Sequence, residues 1–245
     1  MRLHLLEHDP DDFSKTNITT WAAKKGYKIS KTDVFKMEAF PSLSNFDWLM
    51  IMGGVQHAWE EDAHPWLVSE KQFIKRVLAD GKIVLGICLG AQLLGEALGG
   101  QVLVNKHREI GWYSVFLSNE GKKSFLFKNA PETFLTFHWH SDHFSLPAGC
   151  TQLAFSKPSP NQAFIHNELP FVGLQFHPEY TLDMVRSFSR QYGHEWLPGP
   201  FVAGKEAVLA KTEKIPETYW LMETLLDNMV QIKQFRESVK SKKGP

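Results

Sequence analysis

Lys82-Ile83-Val84-Leu85-Gly86-Ile87-Cys88-Leu89-Gly90-Ala91-Gln92 is the stretch from which both fold and chemistry can be read. The run up to Ile87 is apolar and rich in β-branched residues, and it follows Asp80-Gly81; it predicts a buried strand. Leu89 to Leu98 predicts a helix, stopped by Gly99-Gly100. Cys88 therefore stands where a strand breaks sharply into a helix, framed by Gly86 and Gly90 at i−2 and i+2. A nucleophile elbow needs small residues at those places, because the strained turn brings neighbouring backbone close. The helix N-terminus adds partial positive charge beside the sulfur, which favours the thiolate. The same turn aims the Leu89 N–H at a developing oxyanion. A free cysteine standing alone is more often a small buried apolar residue; the glycine frame and the strand-turn-helix setting outweigh that reading here.

Two further strand ends point to the same place. Phe171-Val172-Gly173-Leu174-Gln175-Phe176 predicts a buried strand, with His177 at its C-terminal end and Pro178 stopping the pairing. In an open parallel sheet, sites form at the carboxyl ends of strands, so Cys88 and His177 can meet despite their separation in sequence. Glu179, two residues on, can hold one imidazole nitrogen and fix tautomer and orientation. Asp47-Trp48-Leu49-Met50-Ile51-Met52 predicts a third apolar strand, ending in Gly53-Gly54. That turn would bring a backbone amide to the same edge and complete a two-donor oxyanion hole from Gly53, Gly54 and Leu89, although Gly-Gly by itself marks only a turn.

Taken together, Gly86-x-Cys88-x-Gly90-x-Gln92, His177-Pro178-Glu179 and the upstream Gly53-Gly54 resemble the class I glutamine amidotransferases, a family with a Cys-His-Glu triad. The resemblance spans roughly Met1 to Gln191. Glu109-Ile110-Gly111-Trp112 and His138-Trp139-His140-Ser141-Asp142 resemble its stand-alone, GMP-synthase-like branch, to which γ-glutamyl peptidases are related. It implies a flavodoxin-like, doubly wound α/β fold. It implies Cys88 as the nucleophile forming a γ-glutamyl thioester, His177 as acid and base, and Glu179 as its orienting carboxylate. Gln92, Trp112, Ser141 and Asp142 are implied to hold the substrate. One departure stands out: many relatives have proline after the Gly-Gly turn, whereas this chain has Val55, which points to a more mobile loop.

The chain has 245 residues, 43% hydrophobic and 22% charged, which suits a globular protein with a full core. Lys+Arg and Asp+Glu are both 27, so no overall basic field draws nucleic acid. The tryptophans, among them Trp48, Trp59, Trp66, Trp112, Trp139 and Trp196, then read as core and pocket wall rather than base-stacking platforms. No run is long enough to span a membrane, and Met1 to Leu6 lacks the apolar stretch of a signal peptide. Two cysteines, Cys88 and Cys150, do not make a disulfide framework. A cytoplasmic protein is expected. No P-loop and no Gly-x-Gly-x-x-Gly follows a strand, and no cofactor is expected.

Along the chain, strands near Arg2–Leu6, Tyr27–Phe35 and Trp48–Met52 alternate with a helix from about Phe13 to Gly26, capped by Asp11 or Asp12, and another opening at Pro65-Trp66. That alternation predicts a parallel, doubly wound sheet with helices on both faces. From Gln101 to Phe176, shorter strand-like runs predict an antiparallel extension. After a helix over Leu182–Tyr192, Leu197-Pro198-Gly199-Pro200 breaks the chain, and two helical stretches follow, near Lys205–Lys214 and Pro216–Phe235. Residues 1–196 are thus expected to form the amidotransferase domain and 197–245 a helical extension packed on it, the alternative for its apolar face being a homodimer surface. His138, His140 and His143 invite a metal, but Asp142 is the only nearby acid, and the resemblance places this loop beside the substrate; no metal is expected.

The leading expectation is a glutamine amidohydrolase releasing glutamate and ammonia. Alternatives are a γ-glutamyl peptidase or transferase using the same thioester, and a non-catalytic binding or regulatory protein on this fold. The resemblance also raises an ammonia-accepting synthetase as a separate partner.

Overall fold

The computed structural model describes residues 1–9, 16–193 and 196–242, with residues 232–242 as helical backbone only. Nine strands form one sheet: β1 Arg2–Glu7, β2 Lys28–Asp33, β3 Trp48–Ile51, β4 Ile83–Ile87, β5 Val102–Leu117, β6 Thr133–Phe144, β7 Cys150–Phe155, β8 Ala163–His166 and β9 Phe171–Leu174, in the order β2-β1-β3-β4-β9-β8-β7-β5-β6. The five strands from β2 to β9 pair in parallel, and the remaining pairings are antiparallel. Helices are α1 Asn17–Lys24, α2 Trp66–Ala79, α3 Leu89–Ala97, α4 Asn119–Lys123, α5 Leu182–Gln191, α6 Lys205–Ala210 and α7 Ile215–Lys242. The caps expected at Asp11 or Asp12, and Phe13 with them, lie outside the described residues.

Strand alternation explains the double winding. Leu3, Leu5, Trp48, Met50, Ile83 and Leu85 join one core with Trp21 of α1, Phe188 of α5 and Leu225 of α7. Their neighbours Leu6, Leu49, Ile51 and Val84 face the other way, onto Phe73 and Ile74 of α2 and Leu93 of α3. Every residue of β3 and β4 is buried, as a strand covered on both faces requires. Successive side chains point to opposite faces, so one apolar run feeds both cores.

The C-terminal stretch packs on the rest. Leu221, Met222, Leu225, Leu226 and Met229 of α7 belong to the first core. The Trp21 indole N–H donates to Asp227 at 2.8 Å, and the Asn228 amide donates to the carbonyls of Leu126 at 2.8 Å and Lys128 at 2.9 Å. α6 is shorter than its pattern suggests: it stops at Ala210 and a 3-10 turn, Thr212–Lys214, leads into α7. β9 ends at Leu174; Gln175 N–H still donates to the Gln162 carbonyl beside β8, and by His177 the chain has turned to β6, its N–H donating to the Phe137 carbonyl.

Candidate active site

Three neighbouring strand ends build the site. β4 lies between β3 and β9, so the residues following each, Gly53, Cys88 and His177, meet at one edge. Cys88 has φ +52° and ψ −111°, a conformation few non-glycine residues adopt. The flanking glycines explain how the turn fits. A Cβ on Gly86 would sit 2.3 Å from the Gly90 carbonyl oxygen, and one on Gly90 would sit 2.0 Å from that of Ile51. Leu89 opens α3, and the amides of Ala91 and Gln92 close onto the Cys88 carbonyl.

His177 is buried and its Nδ1 donates to Glu179 Oε1 at 2.8 Å. Burial opposes a charged imidazolium, but the Glu179 carboxylate and the Cys88 sulfur, each by charge and by hydrogen bond, outweigh it and push His177 up to about 10. The Gly53 Cα packs against both partners: a Cβ there would lie 3.1 Å from His177 Cε1 and 3.5 Å from Cys88 Cβ. Cys88 Sγ also lies 3.6 Å from the Trp139 carbonyl. β6, last in the sheet order, curls back here, and its Phe137 bridges to His177.

A cavity of about 220 Å³ opens over the sulfur. It is lined by Gly54, Val55, Gln56, His57, Cys88, Leu89 and Gln92 together with Arg108, Ile110, Trp139, His140, Ser141 and Asp142. Gln92 reaches across it, its amide 3.4 Å from the Asp142 carbonyl and 3.3 Å from Gln175 Oε1. Of the residues expected around a substrate, Gln92, Ser141 and Asp142 face this cavity. Trp112 does not: it stacks edge-on to Phe137 and its indole donates to the Val208 carbonyl at 3.0 Å. At that register of β5, the side chain points to α6 rather than to the sulfur.

His57 and Arg108 went unnoticed in the sequence, since neither sits in a recognisable pattern. His57 Nδ1 bonds the Asp142 carboxylate, and its ring stacks on Trp59 at 4.8 Å between centroids. The loop carrying Val55 is better tied than its missing proline suggests. The Val55 N–H, which proline would lack, donates to Asp9 Oδ2 at 3.3 Å, and the Gln56 amide lies 3.4 Å from Asp9 Oδ1.

The His138–His140–His143 set weighed from the sequence as a metal site is not the grouping the fold makes. His138 and His140 instead meet Glu109 of β5, and among the described residues these three could together hold a cation. His140 Nδ1 bonds the Asp142 carbonyl at 2.9 Å and its Nε2 lies 3.1 Å from Glu109 Oε2, which also accepts from Ser156 and Gln162. Burial works against the Glu109 charge, but His138 and His140 prevail and hold it down at about 2. His138 is pushed down to about 4, chiefly by its own burial. Of the three, His140 reaches the lining of the cavity.

Residues 12–187 match the family model "Glutamine amidotransferase class-I". The chain belongs to this family. The amidotransferase is 33% identical over 189 residues to the glutamine amidotransferase-like protein YfeJ of Salmonella typhimurium, covering 76% of this chain and 78% of that one. It is 38% identical over 133 residues to the GMP synthase [glutamine-hydrolyzing] of Wolinella succinogenes, covering 54% of this chain but 24% of that longer enzyme. A glutamine amidotransferase from Thermotoga maritima superimposes with a TM-score of 0.83 at 28% identity, over 94% of this chain and 98% of that one. Family members are generally cysteine-hydrolase-type enzymes, and no helix of the described residues is long and apolar enough to cross a membrane.

Proposed function

We propose that this amidotransferase hydrolyses the γ-amide of glutamine through a thioester on Cys88. The observation that carries the reading is the His177 ring, with Glu179 on one nitrogen and the Cys88 sulfur on its other side, beneath a cavity lined by Gly54 and Leu89. The cavity is small and polar, of a size for an amino acid rather than a large ligand.

Held up at about 10, His177 is an imidazolium at neutral pH beside the sulfur of Cys88, which reacts as the thiolate, the nucleophilic form of a cysteine. The sulfur attacks the γ-carboxamide carbon, and the displaced electron pair on oxygen is met by the amides of Gly54 and Leu89, with Gly53 shaping the turn. When the tetrahedral species collapses, the C–N bond breaks, the His177 proton goes to the departing nitrogen and ammonia leaves. The thioester no longer carries the sulfur's charge, so one of the influences raising His177 is gone. The neutral ring then takes a proton from water as it attacks, the C–S bond breaks, and glutamate leaves with the thiolate restored. Gln92, Ser141 and Asp142 hold the amino-acid end, Asp142 as the anion for an α-ammonium group. Residues 1–196 form the catalytic unit and 197–245 an extension on it. The resemblance to the glutamine-hydrolysing part of GMP synthases supports delivery of ammonia to a separate synthetase.

Ammonia release from glutamine, set beside release from γ-glutamyl peptides, tests the reading, with Cys88→Ala as control. Cys88-dependent release from glutamine is expected. Release unaffected by Cys88→Ala would sink it, and turnover of γ-glutamyl peptides alone would move the activity to the peptidase class.

A further inference from the structure

His8 follows β1, takes no part in the chemistry above and is fully buried with Glu70 of α2. Its Nδ1 lies 3.0 Å from the Gly53 carbonyl oxygen, its Nε2 lies 2.8 Å from Glu70 Oε1, and its ring packs on Trp66 at 5.6 Å. A carbonyl and a carboxylate only accept, so His8 donates from both nitrogens. Burial opposes that charge, but Glu70 and the Gly53 carbonyl raise His8 above its ordinary value.

The consequence lies on the far side of one peptide bond. The Gly53–Gly54 peptide is trans, as are all peptides of the described residues. In a planar trans peptide, C=O and N–H point in opposite directions. With the Gly53 carbonyl turned onto His8, the Gly54 N–H turns away from His8, and Gly54 is itself one of the residues lining the cavity with Cys88 and Leu89. Among the described residues, neither the Gly54 nor the Leu89 amide has a hydrogen-bond acceptor. Amides left unpaired at a pocket are donors set for a ligand. Glycines rotate freely, so the Gly53–Gly54 peptide could flip at little steric cost unless something holds it.

We propose that His8, gripped by Glu70, is a positioning residue that locks the Gly53–Gly54 peptide with its amide turned into the Cys88 cavity. The oxyanion hole is then formed before substrate arrives, with no partner needed to turn the peptide. The proposal rests on the Gly54 amide being an oxyanion donor.

Two double variants test it. His8→Asn with Glu70→Gln keeps an amide donor near the Nδ1 position; His8→Phe with Glu70→Leu keeps the bulk and removes the donor. Both abolish the buried ion pair, so an effect through stability alone would be similar in each. The readouts are the unfolding temperature, kcat and KM for glutamine, the affinity of glutamate γ-semialdehyde, and alkylation of Cys88 by iodoacetamide. The aldehyde forms a tetrahedral adduct with the sulfur, whereas alkylation forms no oxyanion. For the Phe/Leu variant, kcat and aldehyde affinity should fall about 10²–10³-fold, the usual effect of one lost oxyanion donor, with KM and alkylation within about twofold. The Asn/Gln variant should stay within about tenfold of wild type in kcat and aldehyde affinity. The proposal is overturned if the Phe/Leu variant binds the aldehyde as wild type does, or if both variants lose activity equally and in step with their unfolding temperatures. A wild-type protein that is alkylated at Cys88 yet neither binds the aldehyde nor releases ammonia would defeat the oxyanion reading itself, and the proposal with it.

Discussion

Replacing Gly90 by alanine should disable the site from outside it. The new Cβ would lie 2.0 Å from the Ile51 carbonyl oxygen and 2.6 Å from its carbon, both backbone atoms of β3. Real Cβ contacts essentially never fall under 3.0 Å, so β3 and α3 must separate by roughly 1 Å. No flexible side chain can absorb that movement. Overpacking of this kind costs about 1–3 kcal/mol, which in a chain of this size lowers the unfolding temperature by about 2–4 °C per kcal/mol. The displaced strand leads directly into Met52, whose carbonyl accepts from Gly90 N–H, and then into Gly53 against His177. A misplacement of about 1 Å at reacting groups costs on the order of 100-fold in rate. Calorimetry and ammonia release would read both effects. Gly193→Ala, where a Cβ meets nothing within 4 Å, serves as control and should match wild type. A Gly90→Ala protein with wild-type melting and wild-type turnover would refute the account of the elbow.

Other expectations follow from single contacts. Glu179→Gln removes the leading charge that raises His177, so kcat should fall about 10²–10⁴-fold while glutamine-analogue binding persists; an unchanged pH dependence of Cys88 alkylation would contradict the assignment. Asn228→Ala strips a donor from two carbonyls at once and should cost about 1–3 kcal/mol, measured by urea unfolding, without changing KM. In acid, His138 held at about 4 against 6.5 when unfolded means that the unfolded chain binds the extra proton first. Stability should therefore drop as pH falls from about 6.5 to 4, by up to about 3 kcal/mol. His138→Gln should flatten that limb of the profile; a limb of unaltered slope would count against the buried neutral ring.

In the parallel half of the sheet, β1, β3, β4 and β9 were legible as short, largely apolar runs, for which local pattern suffices, whereas the edge strand β2, Lys28-Ile29-Ser30-Lys31-Thr32-Asp33, is largely polar. Cys88 was legible because Gly86 and Gly90 bracket it. The pairings of the second half were not. Nothing local says that β6, at the end of the sheet order, returns to bond His177 through Phe137. Trp112 illustrates the limit: its neighbourhood resembles the family, but strand register sends its indole to Val208. His8, Glu70 and His57 carry no pattern at all, since each acquires meaning only from a residue tens of positions away, and Arg108 only from the cavity it lines.

What the sequence determined by itself was therefore everything set by spacing along the chain: alternating strands and helices, a cysteine at a strained turn, a histidine two residues before a glutamate. The tertiary structure alone decided what depends on distances through space. It set the order of strands that brings Gly53, Cys88 and His177 to one edge, and it let His8 reach the Gly53 carbonyl and Glu109 meet His138 and His140. The physical reason is that backbone propensity acts over a few residues, whereas the charge and hydrogen-bond environment of a buried group comes from whatever the fold packs against it.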